Sequence, residues 1–350
     1  MKYLYYCNSL YQVITVLKLH LQRKDYGFEN IDNYQADLII LNAFAGAEKV
    51  HKLIQDEHIF SNVWLVNKNI KTKTNHINSI FNLIAPSFNI RKYGITNVKN
   101  EYDVLSFPKF NLICASIWQE NKKANLELLD EGVATYIGTV DLQSRSLVYK
   151  KLFKLFNSGK DFKDYQKLYV NCIDLIKNTD NRIIEIPKNE NINDTLSSIF
   201  ININNTNNKE ILWFSQIFYD ESKNRISTKV LSSLEKYKDD LLFCPHPRTP
   251  IKSDIFENQI EESLWEINTI KDKDIDNKLL ITYHSTACFS PKLLFNKEPF
   301  IVLFYSLIEQ NMQLDYFVNN FCKLYKNKSK ILVPHKIDEI DDFINKYKQE

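Results

Sequence analysis

The sequence predicts an α/β protein built from two Rossmann-like domains. Along its 350 residues, short apolar runs rich in β-branched and aromatic side chains alternate with helical stretches, which is typical of βαβ units and parallel sheets. A chain of this length accommodates two domains with separate cores. An asparagine-rich segment divides it into residues 1–185, 186–209 and 210–350. We therefore expect an N-terminal domain, a linker or exposed excursion, and a C-terminal domain.

The first half opens with a βα unit. The apolar run over residues 3–7 predicts a strand, and Ser9 is placed to cap the helix that follows. Apolar residues recur on one face of that helix at helical spacing, namely Leu10, Val13, Ile14, Leu17 and Leu21. We also expect strands over residues 37–41, 63–66 and 112–117, a helix over 121–129 and a strand over 134–138. The alternation favours a Rossmann-like domain.

The second half repeats this architecture. Strands are predicted over residues 211–214, 241–244, 279–283, 300–304 and 331–333. The C-terminal segment 337–349 has an apolar face at helical spacing and is expected to pack across this domain. Two Rossmann-like domains that face each other across a cleft would bring strand ends from both halves to one ligand.

The composition restricts which binding partners and which cellular compartment are expected. The 45 basic and 43 acidic residues give a net charge of +2, so no global charge favours a nucleic-acid partner. The six cysteines are widely spaced without a C-x-x-C pair and are interpreted as reduced thiols of a cytoplasmic protein. We expect neither a signal peptide nor a membrane span. No glycine follows Gly159, so a phosphate site in the second half needs side chains and a helix N-terminus.

An acidic motif in the first half is a candidate for proton transfer. Gly132 permits a tight turn that presents the carboxylates of Asp130 and Glu131. Adjacent like charges raise the proton affinity of one of them, which suits a general base worth about 10²–10⁴-fold in rate. Asp220 in the second half competes for this role. A solvated turn for the motif, and a loop position or helix cap for Asp220, remain open as structural alternatives.

Two motifs in the second half are candidates for binding a phosphate. His246 follows the strand over 241–244 directly after a proline and is suited to protonate or hydrogen-bond a departing phosphate near neutral pH. Arg248, after Pro247, can add a forked contact or a structural salt bridge. Ser285 and Thr286 open a helix after a strand, so their hydroxyls and the free N–H groups can bind a phosphate. An ordinary N-cap is the alternative for the hydroxyls, and His284 is interpreted as a packing residue.

The order and spacing of these motifs resemble the bacterial sialyltransferases over most of the chain. The likeness is greatest to glycosyltransferase family 52, the lipooligosaccharide sialyltransferases. The first strand with Cys7, Asn8 and Gln12 looks like that family's opening strand, and the motifs at residues 130–132, 244–248 and 285–286 match its acidic, His-Pro and hydroxyl motifs. The same three motifs occur in polysialyltransferases and in a third bacterial sialyltransferase family.

The resemblance implies a GT-B fold and chemistry without a metal or another cofactor. His246 would act on the phosphate of CMP-sialic acid, and Ser285 and Thr286 would hold that phosphate. The base would come from the acidic motif or from Asp220. The further positions implied in substrate binding are Asn8, Gln12, Gly132, Ser215, Gln216, Pro247 and Arg248. The sequence departs from the family in having no glycine at the strand end near Ser215 or after the hydroxyl motif.

The predicted function is an inverting, metal-independent sialyltransferase. It would move sialic acid from CMP-sialic acid to a terminal galactose of a surface glycan, a lipooligosaccharide or a capsule. The alternatives are a GT-B hexosyltransferase that uses a UDP-sugar and a non-catalytic protein that binds a nucleotide or a glycan. The lysine-rich residues 149–156 fit either peripheral contact with the inner membrane or an ordinary amphipathic helix. A homodimer remains open.

Overall fold

The chain folds into two compact units, Met1–Phe200 and Ile201–Glu350. The computed structural model describes residues 1–67, 86, 90–91, 93–95, 98, 101–108, 111–138, 151, 154–155, 157, 159–160, 162–177, 180–203, 209–216, 218, 220–246, 253–258, 264–309 and 311–349. The lysine-rich stretch 149–156 lies mostly outside these residues. Within them, no helix has the length and apolarity needed to cross a bilayer.

The first unit is a parallel sheet with helices in its connections. In chain order its described strands are β1 (Lys2–Cys7), β2 (Gln35–Asn42), β3 (Val63–Asn67), β4 (Val104–Phe107), β5 (Asn125–Leu129), β6 (Lys167–Val170) and β7 (Ile183–Glu185). They lie side by side in the order β3-β2-β1-β4-β5-β6-β7, and every pair is parallel. The order reverses between β1 and β4, which is the switch point of a doubly wound sheet.

The helices of this unit begin with α1 (Leu10–Asp25), whose first turn is capped as predicted: the Ser9 side chain accepts a hydrogen bond from the Gln12 amide. They continue with α2 (Ala47–Asp56), α3 (Leu112–Glu120), α4 (Val133–Tyr136) and α5 (Glu190–Ile199). The strands predicted over residues 3–7, 37–41 and 63–66 are confirmed as β1, β2 and β3.

The predictions between residues 112 and 138 are wrong in type. Residues 112–117 belong to a helix whose start is capped by the Asn111 side chain, which accepts from the Cys114 amide. The prediction failed because a short apolar run has no periodicity that distinguishes a buried helix from a strand. Residues 125–129 are the strand β5 in the middle of the sheet, and residues 133–136 are the short helix α4. The acidic motif nevertheless follows a strand.

The segment predicted as a linker, residues 186–209, contains the helix α5. Its apolar residues Ile192, Leu196 and Ile199 are buried at helical spacing, and the helix packs against α1. The Asn189 side chain caps it by accepting from the Asn191 amide. Asparagine-rich composition predicts a loop here, but one of these asparagines caps a helix of the first unit.

A buried arginine connects α1 to the first sheet. The Arg23 guanidinium, 0% exposed, donates to Glu29 at 2.8 Å and to Glu127 of β5 at 3.1 Å. It also donates to the Tyr5 hydroxyl at 2.7 Å. The Arg23 Cζ atom lies 4.7 Å from the ring centroid of Tyr169. The buried guanidinium is therefore paired with carboxylates and also packs on an aromatic ring.

The second unit repeats the winding of the first. Its strands, in chain order, are β8 (Ile211–Phe214), β9 (Leu241–Cys244), β10 (Glu257–Asn258), β11 (Leu279–Thr282), β12 (Phe300–Leu303) and β13 (Ile331–Leu332). They are all parallel and lie in the order β10-β9-β8-β11-β12-β13. The strand predictions for this half are confirmed, and its switch point lies between β8 and β11.

The helices of the second unit are α6 (Glu221–Ser233), α7 (Trp265–Lys271), α8 (Thr286–Phe295), α9 (Met312–Lys323) and α10 (Asp338–Tyr347). The predicted C-terminal helix is confirmed as α10. Tyr347 packs against the ring of Phe300 in β12 at 5.0 Å between centroids and donates to the Asn277 carbonyl at 2.7 Å. This helix therefore covers the start of the sheet.

Candidate functional site

The carboxyl ends of β9, β8 and β11 lie side by side in the second unit. The Ser215 amide, directly after β8, donates to the Cys244 carbonyl at the end of β9 at 3.0 Å. His246 is two residues beyond that carbonyl and is half-buried. On the other side of β8, the Thr282 hydroxyl donates to the Phe214 carbonyl at 3.1 Å. Polar residues from three neighbouring strands thus share one edge.

The hydroxyl motif lies at this edge as predicted. Ser285 is the N-cap of α8: its side-chain oxygen accepts from the Ala287 amide at 3.3 Å, and its own amide donates to the Thr282 hydroxyl at 3.2 Å. Ser285 and Thr286 are both half-buried at the start of a ten-residue helix. The structure shows the cap, and the phosphate site predicted for the same hydroxyls stays a prediction, since a helix start can serve both purposes.

Gln216 and His284 contact each other across the switch point. The Gln216 side-chain oxygen accepts from the His284 amide at 2.8 Å and lies 3.2 Å from the His284 Nδ1. Both side chains are half-buried. From sequence, Gln216 is a predicted substrate-binding position and His284 a predicted packing residue. Each follows the end of a predicted strand within two residues, which is the signal for a contact between them.

An ion pair lies beside this contact. Tyr283 donates its hydroxyl hydrogen bond to Glu309, which also pairs with Lys223 of α6. The bond from Lys223 and then the bond from Tyr283 hold the pKa of Glu309 below its usual value. The ring of Tyr283 meets the ring of His284 edge-on at 4.3 Å between centroids. Glu309 therefore carries a negative charge at neutral pH near the imidazole.

Asp220 is the N-cap of α6. Its carboxylate accepts from the amide of Ser222 at 2.8 Å and from the Ser222 hydroxyl at 2.6 Å. These hydrogen bonds lower the pKa of Asp220, which favours the ionised form but makes it a weaker base. The side chain is exposed. The capping alternative weighed for this residue is what the structure shows.

In the first unit, the acidic motif follows β5 as a turn into α4. Asp130 is 0% exposed and accepts from the Tyr11 hydroxyl at 3.0 Å, the Gly132 amide at 2.8 Å and the Asn171 amide at 3.0 Å. Tyr136 donates to it as well. Burial raises the pKa of this carboxyl, and the hydrogen bonds oppose that rise. Asp130 thus holds the turn from inside the unit, and its catalytic role stays a prediction.

Glu131 is the half-buried carboxylate of this motif. Its amide donates to the Thr135 hydroxyl at 2.9 Å. Gly132 has φ 92° and ψ −147°, a region that glycine adopts and other residues rarely do. The turn therefore requires glycine, as the sequence predicts, and it separates a buried aspartate from a more accessible glutamate.

Asn8 and Gln12 lie at the carboxyl end of β1. The Gln12 side-chain oxygen accepts from the Asn8 amide at 2.8 Å, and Gln12 is only 2% exposed. The Gln12 side chain therefore hydrogen-bonds the residue that precedes α1, whereas Asn8 is half-buried; the substrate-binding roles predicted for both residues stay predictions. Pro247 and Arg248 lie outside the described residues. Within the described ranges, no cluster of three or more His, Cys, Asp and Glu side chains is arranged to hold a metal ion.

No protein-family model matches the sequence, and no curated protein matches it. Solved structures do match over the whole chain. A protein of Listeria monocytogenes described as a UDP-N-acetylglucosamine 2-epimerase is 7% identical, with 100% of this chain and 88% of that chain covered and a TM-score of 0.51. The glycotransferase of kitacinnamycin is 8% identical, with 100% and 91% covered and a TM-score of 0.51. At this identity the likeness concerns the fold: the chain has two Rossmann-like units of the GT-B type, as its sequence predicts.

Proposed function

We propose that this protein is an inverting, metal-independent sialyltransferase that uses CMP-sialic acid and a galactose-terminated glycan of a surface lipooligosaccharide or capsule. The observation that carries the proposal is the edge formed by β9, β8 and β11, which brings Gln216, His246 and Ser285 to neighbouring strand ends at a switch point. The motif resemblance to the bacterial sialyltransferases supplies the donor.

The reaction has two proton requirements. The acceptor hydroxyl oxygen attacks the anomeric carbon of the sialyl group while the bond from that carbon to the CMP phosphate oxygen breaks. A base removes the hydroxyl proton, and the departing phosphate gains negative charge that a donor must stabilise. His246 would donate to this phosphate, and Ser285, Thr286 and the first amides of α8 would hold it.

Glu131 is our choice for the base. Asp130 has its oxygen atoms occupied by buried donors, and the Asp220 carboxylate is a helix cap with a lowered pKa. Glu131 is the acidic side chain of the predicted motif that is partly accessible. Its proton transfer would contribute about 10²–10⁴-fold to the rate.

The first test measures CMP release from CMP-sialic acid by the purified protein in EDTA, with and without lactose. Release stimulated by lactose supports sialyl transfer without a metal. Release that requires added Mg²⁺ or Mn²⁺ contradicts the metal-independent mechanism. No release with several galactosides contradicts the donor assignment.

The role of His246 at the leaving phosphate is tested with the variant His246→Ala. We expect turnover to fall by about 10²–10⁴-fold with an unchanged far-UV circular dichroism spectrum. His335→Ala is the control, because His335 is an exposed histidine of the same unit and its loss should leave turnover unchanged. Near-normal turnover in His246→Ala would remove this residue from the mechanism.

The UDP-sugar hexosyltransferase is the second candidate. The name of the Listeria protein refers to a UDP-sugar, so UDP-sugars belong in the same donor screen. Transfer from a UDP-hexose, without transfer from CMP-sialic acid, would replace the sialyltransferase proposal while keeping the phosphate-binding role of α8.

A further inference from the structure

His284 lies at the switch point of the second sheet. It follows β11 after one residue, and its partner Gln216 follows β8 after one residue. Ligands of open α/β sheets bind outside the carboxyl ends of the strands at such a point. Ser285, the capping residue of α8, is the next residue in the chain. His284 is thus adjacent to the proposed phosphate site.

The hydrogen bonds of His284 define which ring nitrogen carries the proton. A backbone N–H can only donate, so the Gln216 atom at 2.8 Å from the His284 amide has to be the carbonyl oxygen. The same oxygen lies 3.2 Å from Nδ1 and can only accept. In the neutral imidazole Nδ1 therefore carries the proton, and Nε2 has a lone pair. Among the described residues, Nε2 has no hydrogen-bond partner.

The surroundings keep the ring neutral. Burial is the main cause that lowers the pKa of His284 to about 4; the charge of Glu309 opposes this change and that of Lys223 adds to it. Among the described residues, the titratable groups around the ring are Tyr283, which meets it edge-on, and the Glu309–Lys223 pair, whose glutamate accepts from Tyr283. Since the pKa lies well below neutrality, His284 is uncharged at pH 6–8 and Nε2 acts as an acceptor there.

We propose that His284 is a donor-binding residue that accepts a hydrogen bond at Nε2 from a hydroxyl or amino group of the bound nucleotide, and that Gln216 is the positioning residue that holds it in this tautomer. This inference rests on the proposed function, because it takes the switch point as the nucleotide site. In this inference Gln216 acts indirectly. The Gln216 carbonyl oxygen accepts from His284, so the imidazole contacts the ligand and the Gln216 amide does not.

The test is the affinity of the full-length protein for CMP. His284→Phe keeps an aromatic ring and removes the acceptor, so we expect CMP to bind about tenfold more weakly. Gln216→Glu keeps an acceptor for the His284 amide, but its charge raises the pKa of His284, so Nε2 becomes a donor at a higher pH than in the unmodified protein; we expect CMP binding to weaken at a correspondingly higher pH on acidification. His335→Phe is the control and should bind CMP as the unmodified protein does.

Modified nucleotides identify the group that donates to Nε2. If the tenfold difference between the unmodified protein and His284→Phe disappears with 2′-deoxy-CMP, the donor group is the ribose hydroxyl. If it disappears with UMP, the donor group is the cytosine amine. A difference that disappears with cytidine, which lacks the phosphate, would overturn the inference, because a neutral acceptor cannot bind an unprotonated phosphate oxygen.

Nitrogen-15 spectra of the histidine ring test the tautomer directly. We expect a proton on Nδ1 of His284 from pH 6 to 8. A proton on Nε2, or unchanged CMP affinity in His284→Phe, would overturn the inference while leaving the sialyltransferase proposal intact. Binding of UDP but not CMP would overturn the proposed donor; a tenfold weaker affinity of His284→Phe for UDP would then still support the role of His284, and an unchanged affinity would overturn it. Failure to bind either nucleotide would contradict both proposals.

Discussion

The adjacent carboxylates Asp130 and Glu131 have different surroundings and therefore different expected roles. Asp130 accepts buried hydrogen bonds from Tyr11, Gly132 and Asn171, while Glu131 is half-buried. The buried residue secures the turn, and its more accessible neighbour is the one proposed as the base. Sequence alone places both carboxylates at the end of a strand, but it contains no information about which of the two faces inward.

The role of Asp130 is testable through stability. In Asp130→Asn one acceptor oxygen becomes an amino group that meets buried donors, so we expect a loss of about 3 kcal/mol in the free energy of unfolding. Urea unfolding followed by far-UV circular dichroism measures it. Asp180→Asn is the control, since the Asp180 side chain is 43% exposed, and it should leave the urea midpoint nearly unchanged. Equal effects would show that the Asp130 contacts do not stabilise the turn.

The general base is testable through separate substitutions. We expect Glu131→Gln to reduce acceptor-dependent turnover by about 10²–10⁴-fold. Asp220→Asn should reduce it only a few-fold, and it keeps the helix cap because asparagine is a good N-cap residue. A large loss in Asp220→Asn with normal turnover in Glu131→Gln would reverse the assignment. Small, equal losses would show that neither residue is the base.

At the scale of elements, the strand and helix predictions succeeded where polar residues mark both ends of an apolar run. The run over 211–214 is bounded by polar residues on both sides and matches β8. The run over 112–117 failed because a fully buried helix and a central strand both present continuous apolar residues. The capping residue Asn111 distinguishes them, and an asparagine before an apolar run is the signal that was available.

The link between α1 and its sheet gives a prediction at this scale. Arg23→Met removes the cation that faces Glu29 and Glu127 inside the unit. Because a buried carboxylate is left without its partner, we expect the free energy of unfolding to fall by about 3–5 kcal/mol. Thermal and urea unfolding measure this loss.

Arg182→Met is the matched control for Arg23→Met. Its pair with Asp180 lies at the surface, with side chains 41% and 43% exposed, so its loss should change stability by less than about 1 kcal/mol. If both variants unfold at the same urea concentration as the unmodified protein, the buried network does not stabilise the attachment of α1.

At the scale of the molecule, the two doubly wound parallel sheets were predictable from the sequence. The side-chain contacts between strand ends at the candidate site were not. Alternating apolar runs indicate parallel sheets, and the strand order then follows from the rules of doubly wound folds. The contact between Gln216 and His284 joins residues 68 positions apart. Such a pairing depends on the register of the two strands and on the side-chain conformations beyond their ends, which a single sequence does not contain.

The cysteines give a prediction for the whole chain. All six are free thiols, and five are buried while Cys322 is partly exposed. Burial raises the pKa of Cys172 to about 11, so its reactive thiolate is scarce at neutral pH. We expect Ellman's reagent to label at most one thiol quickly in the native protein and six after denaturation. A melting temperature that changes with a reducing agent would contradict the absence of disulfides among these residues.

Each unit is continuous in sequence, with α5 completing the first at its C-terminal end. During synthesis, every strand of the first sheet is therefore made before any strand of the second. At usual translation rates the remaining residues take roughly 10–30 s to appear, far longer than most single domains need to fold. The first unit can therefore reach its native structure while the chain is still being extended, so that nascent strands of the two sheets do not compete for the same partners.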